Sequence, residues 1–110
     1  MLSGAALVTS DHVLVETWLL LRHRLGRHAA EGFWRSLSHG AARVESVGPA
    51  DLDVAWEIGT AFADQDFSLV DRTSFAVMRR LGLVRVASFD DHFAVFRFGP
   101  GGRQAFDVLR

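Results

Sequence analysis

Cysteine is absent from this 110-residue chain, so no disulfide framework, thiolate nucleophile or thiolate metal site is available. Lysine, tyrosine and asparagine are missing as well, and all 12 basic residues are arginine. Those three have AT-rich codons, so a GC-rich genome accounts for their loss. The physical consequence stays, because arginine's planar fork suits phosphate and stacks on bases. Charge of one sign is also lacking. A net charge of −1 gives no general pull toward nucleic acid, so the composition permits RNA binding without arguing for it. The longest apolar run, Trp18 to Leu21, is far too short to span a membrane. No basic segment leading into a long apolar stretch follows Met1, and a soluble cytoplasmic protein is the default expectation. Gly99-Pro-Gly-Gly102 lacks the strand–loop–helix setting and the lysine of a phosphate loop. The five histidines show no paired metal-ligand spacing and read as surface or capping groups. No serine nucleophile with its base, no repeat and no internal linker stands out.

What remains is 49% apolar and 23% charged, the composition of one globular domain with a single core. Leu7-Val8-Thr9 reads as a short strand, and Ser10 or Asp11 can cap the helix expected from His12 to Leu25, which Gly26 ends. A second helix is expected from Arg27 to Leu37, a strand over Arg43–Val47, and a third helix over Asp51–Ala63. A fourth, from about Leu69 to Leu81, ends at Gly82, which suits a left-handed cap. Leu83 to Ser88 is then a strand breaking into Asp90-Asp91 and a short helix or turn, and Phe96-Arg97-Phe98 an edge strand. Residues 99–110 read as a flexible tail after a domain spanning 1–98. Trp18, Trp34 and Trp56 lie on helical faces and are expected in the core. Strands alternating with helices argue for an α/β fold with a mainly parallel sheet.

In such a sheet, ligands bind at the carboxyl ends of the strands, and Asp71 and Asp90 both fall near one. Converging carboxylates are what a divalent metal requires. Each acid has a plainer reading beside this one. Asp71 has capping-box spacing with Ser68, yet shares its helical face with Phe75 and Met78. Glu16 lies in a helix apolar on nearly every side, where it either joins His12 and Arg24 on a narrow wet stripe or holds a metal. Asp90 and Asp91 either cap the next turn or, for Asp90, follow the strand as a ligand, and Asp66 reads as an ordinary loop acid.

Three stretches together resemble the PIN-domain ribonucleases, specifically the VapC-type toxins of bacterial toxin–antitoxin pairs: Val8-Thr-Ser-Asp-His-Val-Leu-Val-Glu16-Thr, then Ala63-Asp-Gln-Asp-Phe-Ser-Leu-Val-Asp71-Arg-Thr-Ser-Phe-Ala-Val-Met, then Ala87-Ser-Phe-Asp90-Asp-His-Phe93. The resemblance runs from about Leu7 to Phe98. It implies a three-layer α/β sandwich in which Glu16, Asp71 and Asp90 match three of the family's four acids, as catalytic and metal-binding residues. Ser68 and Ser74 match supporting hydroxyl positions. The first acid, carried in the family by an opening strand, has no counterpart, so the resemblance implies an N-terminally truncated version of the fold. It also implies Mg²⁺ or Mn²⁺, an RNA substrate, an antitoxin partner and a homodimer. Arg72, Arg79 and Arg80, on the Asp71 helix, are the candidates for RNA contact. The alternative function is a catalytically inactive PIN remnant acting as a protein-binding module.

Overall fold

The structure is a computed structural model, which describes residues 2–3, 6–87 and 95–109. Its elements are β1 (Leu2–Ser3), β2 (Ala6–Ser10), α1 (Asp11–Leu25), α2 (Arg27–Ser38), β3 (Arg43–Glu45), α3 (Pro49–Ala61), α4 (Leu69–Leu81), β4 (Arg85–Ala87), β5 (Arg97–Phe98), a 3₁₀ turn (Pro100–Gly102), β6 (Gln104–Ala105) and β7 (Asp107–Leu109). This is the expected α/β alternation, and its crossover pairs are parallel: β2 with β3, and β4 with β7. Among the described residues, antiparallel pairing is confined to β1–β2 and β5–β6.

Local chemistry sets the helix ends. The Ser10 hydroxyl accepts from the Val13 N–H at 3.1 Å and starts α1, while Gly26, at φ 99°, stops it. Helix α3 begins two residues earlier than expected because Pro49 suits the first helical position, where no N–H is needed. Asp51 then accepts the Gly48 N–H at 3.0 Å. Helix α4 ends at Gly82 in the left-handed region, as expected.

The core belongs to the C-terminal half. Ile58, Phe67, Phe75, Met78, Val86, Phe96 and Phe106 form one buried cluster, with Phe62 and Phe98 packed against it. Phe75 and Phe96 stack at 4.4 Å between centroids, and Phe67 meets Phe75 edge-on at 5.1 Å.

Two expectations are corrected here. Residues 99–110 are not a loose tail over the part described: β7 pairs in parallel with β4, and Phe106 is buried in the aromatic cluster. One apolar anchor flanked by short strands was enough to dock the segment. The tryptophans are not core residues: Trp56 is 76% exposed, Trp34 half exposed and Trp18 half buried. Helical periodicity marks a face but not whether another element covers it. At the start of the described chain, Leu2 and Ser3 pair with Leu7 and Ala6 and occupy the edge of β2 opposite β3. There β1 lies alongside β4 without a ladder of hydrogen bonds to it.

Candidate active site

Asp71 sits in the first turn of α4, half buried, inside the capping box its spacing allows. Its Oδ2 accepts the Ser68 N–H at 3.0 Å, and the Ser68 hydroxyl accepts the Asp71 N–H at 3.0 Å. The cap engages the Oδ2 oxygen and fixes where the carboxylate stands. The helix dipole favours a negative charge at that position. Ser74, one turn further on the same face, is buried.

Glu16 lies in the second turn of α1 with its side chain exposed. One turn earlier, His12 Nδ1 lies 3.3 Å from the Thr73 hydroxyl on α4. The Thr73 O–H also reaches the carbonyls of Leu69 and Val70, at 2.9 and 3.2 Å. In its Nδ1–H tautomer the imidazole donates to the Thr73 oxygen, whose own proton is then directed to those carbonyls. This bond ties the two acid-bearing helices together close to their N-termini. Sequence reasoning missed it, having placed His12 among the surface and capping groups, because its partner lies 61 residues away. Asp90, the third expected acid, lies outside the described residues. Among the described residues no three metal-ligating side chains come together; the carboxylate oxygens of Glu16 and Asp71 are donors of the hard type that suits Mg²⁺ or Mn²⁺.

The three expected RNA-contacting arginines have different surroundings. Arg80 is committed to the fold: its Nε and Nη2 grip both Asp51 oxygens at 3.0 and 3.1 Å, Nη1 donates to Glu45 at 3.0 Å, and Nη2 also reaches the Ser46 carbonyl. That fork ties α4 to β3 and to the start of α3, a different use from the phosphate contact expected of it. Burial alone would raise the Asp51 pKa, but hydrogen bonds from Arg80 and from the Gly48 N–H, with the charge of Arg80, outweigh it and hold the carboxyl below its ordinary range. Hydrogen bonds from Arg80 and then Arg43 lower Glu45 in the same way. Arg72 lies against Gly59 on α3, so closely that any Cβ there would collide with its guanidinium. Its Nε is buried with no hydrogen-bond partner. Arg79 is exposed, with its guanidinium 5.7 Å from the Phe98 ring centroid.

A family model for the PIN domain matches residues 1–99. The chain belongs to the PIN-domain family. Over 92 residues this PIN domain is 42% identical to the 23S rRNA-specific endonuclease VapC20 of Mycobacterium tuberculosis (strain H37Rv), an overlap covering 83% of this chain and 70% of that protein. Ribonuclease VapC26 of the same strain is 30% identical over 102 residues, 92% of this chain and 76% of that one. The crystal structure of M. tuberculosis VapC20, titled a Sarcin-Ricin loop cleaving toxin, superposes with a TM-score of 0.78 at 38% identity, covering 84% of this chain and 71% of that one. The PIN fold expected from the three motifs is thus the fold of this chain. Among the described residues no helix is long and apolar enough to cross a membrane.

Proposed function

We propose that this PIN domain is an endoribonuclease toxin of the VapC type, hydrolysing phosphodiester bonds in RNA with a divalent metal ion. The observation that carries the reading is the joining of the Asp71 helix to the Glu16 helix through His12 and Thr73, in a chain so similar to two VapC ribonucleases. Glu16 and Asp71, with Asp90 as the third acid, present oxygen donors to the metal. When bound, Mg²⁺ or Mn²⁺ supplies Lewis acidity and a water acidified for attack on phosphorus. The capping box holds Asp71 in place at the head of α4, and Ser74 supports the same face. Grouped carboxylates bind protons in competition with metal, so metal binding weakens as the pH falls.

Protein partners belong to the same reading. Between α1 and α2 lies an apolar cavity of about 380 Å³ lined by Leu14, Val15, Trp18, Leu19 and Trp34. Exposed apolar surface of this kind supports a homodimer or antitoxin contact on these helices. Cytoplasmic action follows from an RNA substrate.

Cleavage of a mixed RNA substrate, with Mn²⁺ or Mg²⁺ against EDTA, tests the proposal. Metal-dependent cleavage that drops at least about 100-fold in Asp71→Asn is expected. A chain that melts cooperatively yet cuts nothing with either metal would overturn it in favour of a protein-binding PIN remnant.

A further inference from the structure

Arg79 and Arg80 are adjacent in sequence and opposite in use. Arg80 is spent on Asp51 and Glu45, whereas the Arg79 guanidinium makes no hydrogen bond or ion pair with any other described residue. Its guanidinium lies over one side of the Phe98 ring, while that ring packs on Phe96 and Phe106 at 6.0 and 4.8 Å. Beside this pair opens a cavity of about 350 Å³, bounded by Arg79, Gly82, Leu83, Phe98, Gly99 and Gln104. The Gln104 carboxamide folds over Gly99 at its rim; a Cβ on Gly99 would stand 2.6 Å from Gln104 Oε1, and Gly99 itself has φ +74°. One wall is thus a cation on an aromatic ring, another is aliphatic, and a carboxamide with both donor and acceptor stands at the mouth.

We infer that this cavity, formed by Arg79, Phe98 and Gln104, is a nucleobase-binding subsite. The inference rests on the nuclease reading for the source of the base, an unpaired nucleotide of the RNA substrate. Three observations choose a base over a phosphate. The cavity abuts the C-terminal end of α4, where the helix presents its negative pole and repels an anion. A guanidinium already seated on an aromatic ring leaves its other face for a second flat ring, giving a Phe98–Arg79–base stack. A carboxamide matches base edges, which carry donors and acceptors side by side. The neighbouring elements carry Arg85, Arg97 and Arg103 against Asp107, with Glu57 behind Arg79 in an adjoining hollow shared with Arg97. Along α4 the subsite lies about 12 Å from Asp71, eight residues at about 1.5 Å each.

Two measurements test the inference on the full chain. In the first, adenosine, guanosine, cytidine and uridine are titrated to millimolar concentration while the ¹⁵N resonances of Gly82, Gly99 and the Gln104 side chain are followed. At least one nucleoside is expected to shift them, with the shifts lost in Phe98→Leu and in Gln104→Ala, both checked for a wild-type melt. Phe98→Leu keeps an apolar contact to the core, and Gln104→Ala alters only the rim, so at least one variant stays folded. No shift with any nucleoside, or shifts that survive both variants, would overturn the subsite. In the second, Arg79→Ala is expected to raise KM for RNA cleavage about tenfold, the loss falling on KM rather than kcat. An unmoved KM alongside nucleoside binding would mean that the cavity takes a free nucleoside or nucleotide, overturning its place on the RNA path. Failure of the wild type to cut RNA with any divalent metal strikes the nuclease reading, and the titration still decides whether a base binds.

Discussion

The two ends of this chain are about equally apolar and are buried very differently. On α4, Phe75, Val77 and Met78 are completely enclosed, and Phe75 and Met78 share a cluster with aromatic and aliphatic residues of α3 and the C-terminal segment. On α1 and α2 only Ala30 is buried, while Leu25 is 71% exposed and Val15, Leu19 and Trp34 are at least half exposed. Apolar spacing at helical period therefore identifies a face that gains from being covered, and nothing about its cover. In the C-terminal half the cover is the chain itself. Across α1 and α2 the described residues cover the apolar side chains only in part, leaving Val15, Leu19, Leu25 and Trp34 at least half exposed.

The sharpest way to break this comparison is to truncate one residue from each side. Phe75→Ala is expected to cost about 3–5 kcal/mol, read from denaturant unfolding, since a fully enclosed ring leaves a cavity with little chance to collapse. Arg80→Ala comes next, at about 2 kcal/mol. It strands the buried Asp51 carboxylate, but the cost falls below that of a fully buried pair because the Arg80 side chain is 39% exposed. That difference carries a pH signature. Asp51 and Glu45 have folded-state pKa values below their ordinary 3.8 and 4.5, so their contribution is present above those values and is lost as pH falls through the depressed ones. The stability gap between wild type and Arg80→Ala should hold from about pH 7 to about pH 5 and close below about pH 4. A gap that persists in strong acid would show that Arg80 acts through packing of its stem. Smallest is Trp34→Ala, expected to change the unfolding free energy of the dilute chain by no more than about 0.5 kcal/mol while weakening any self-association seen by sedimentation. A loss as large as that of Phe75→Ala would show that α1 and α2 have their own core and abolish the contrast.

Local signals were legible and long-range ones were not. Ser68, Asp71 and Gly82 announce both ends of α4 because a cap is settled within four residues, and the helix stands where they put it. The strand before Asp90 was likewise readable as far as Ala87. Arg80, by contrast, looked like any exposed cation in a last turn. Its partners Asp51 and Glu45 lie 29 and 35 residues away, a distance no spacing rule crosses. His12 and Thr73 are 61 residues apart and equally invisible. Arg72 over Gly59 depends on the close approach of α3 to α4, and Phe106 on β7 finding β4. Of the candidate site, the acids on their helices could be read from type and order. The contacts that position those helices could not.

The uneven distribution of the aromatic cluster also orders events during synthesis. Every buried member lies between Ile58 and Phe106, so none has left the ribosome when α1 and α2 are already complete. For that interval the helical hairpin carries its leucines and tryptophans without any core to dock on, the condition under which nascent chains are held by chaperones or associate wrongly. Only when Phe96 and Phe106 emerge can α4 close its inner face, so residues made well after α1 and α2 decide whether those helices gain a core beside them.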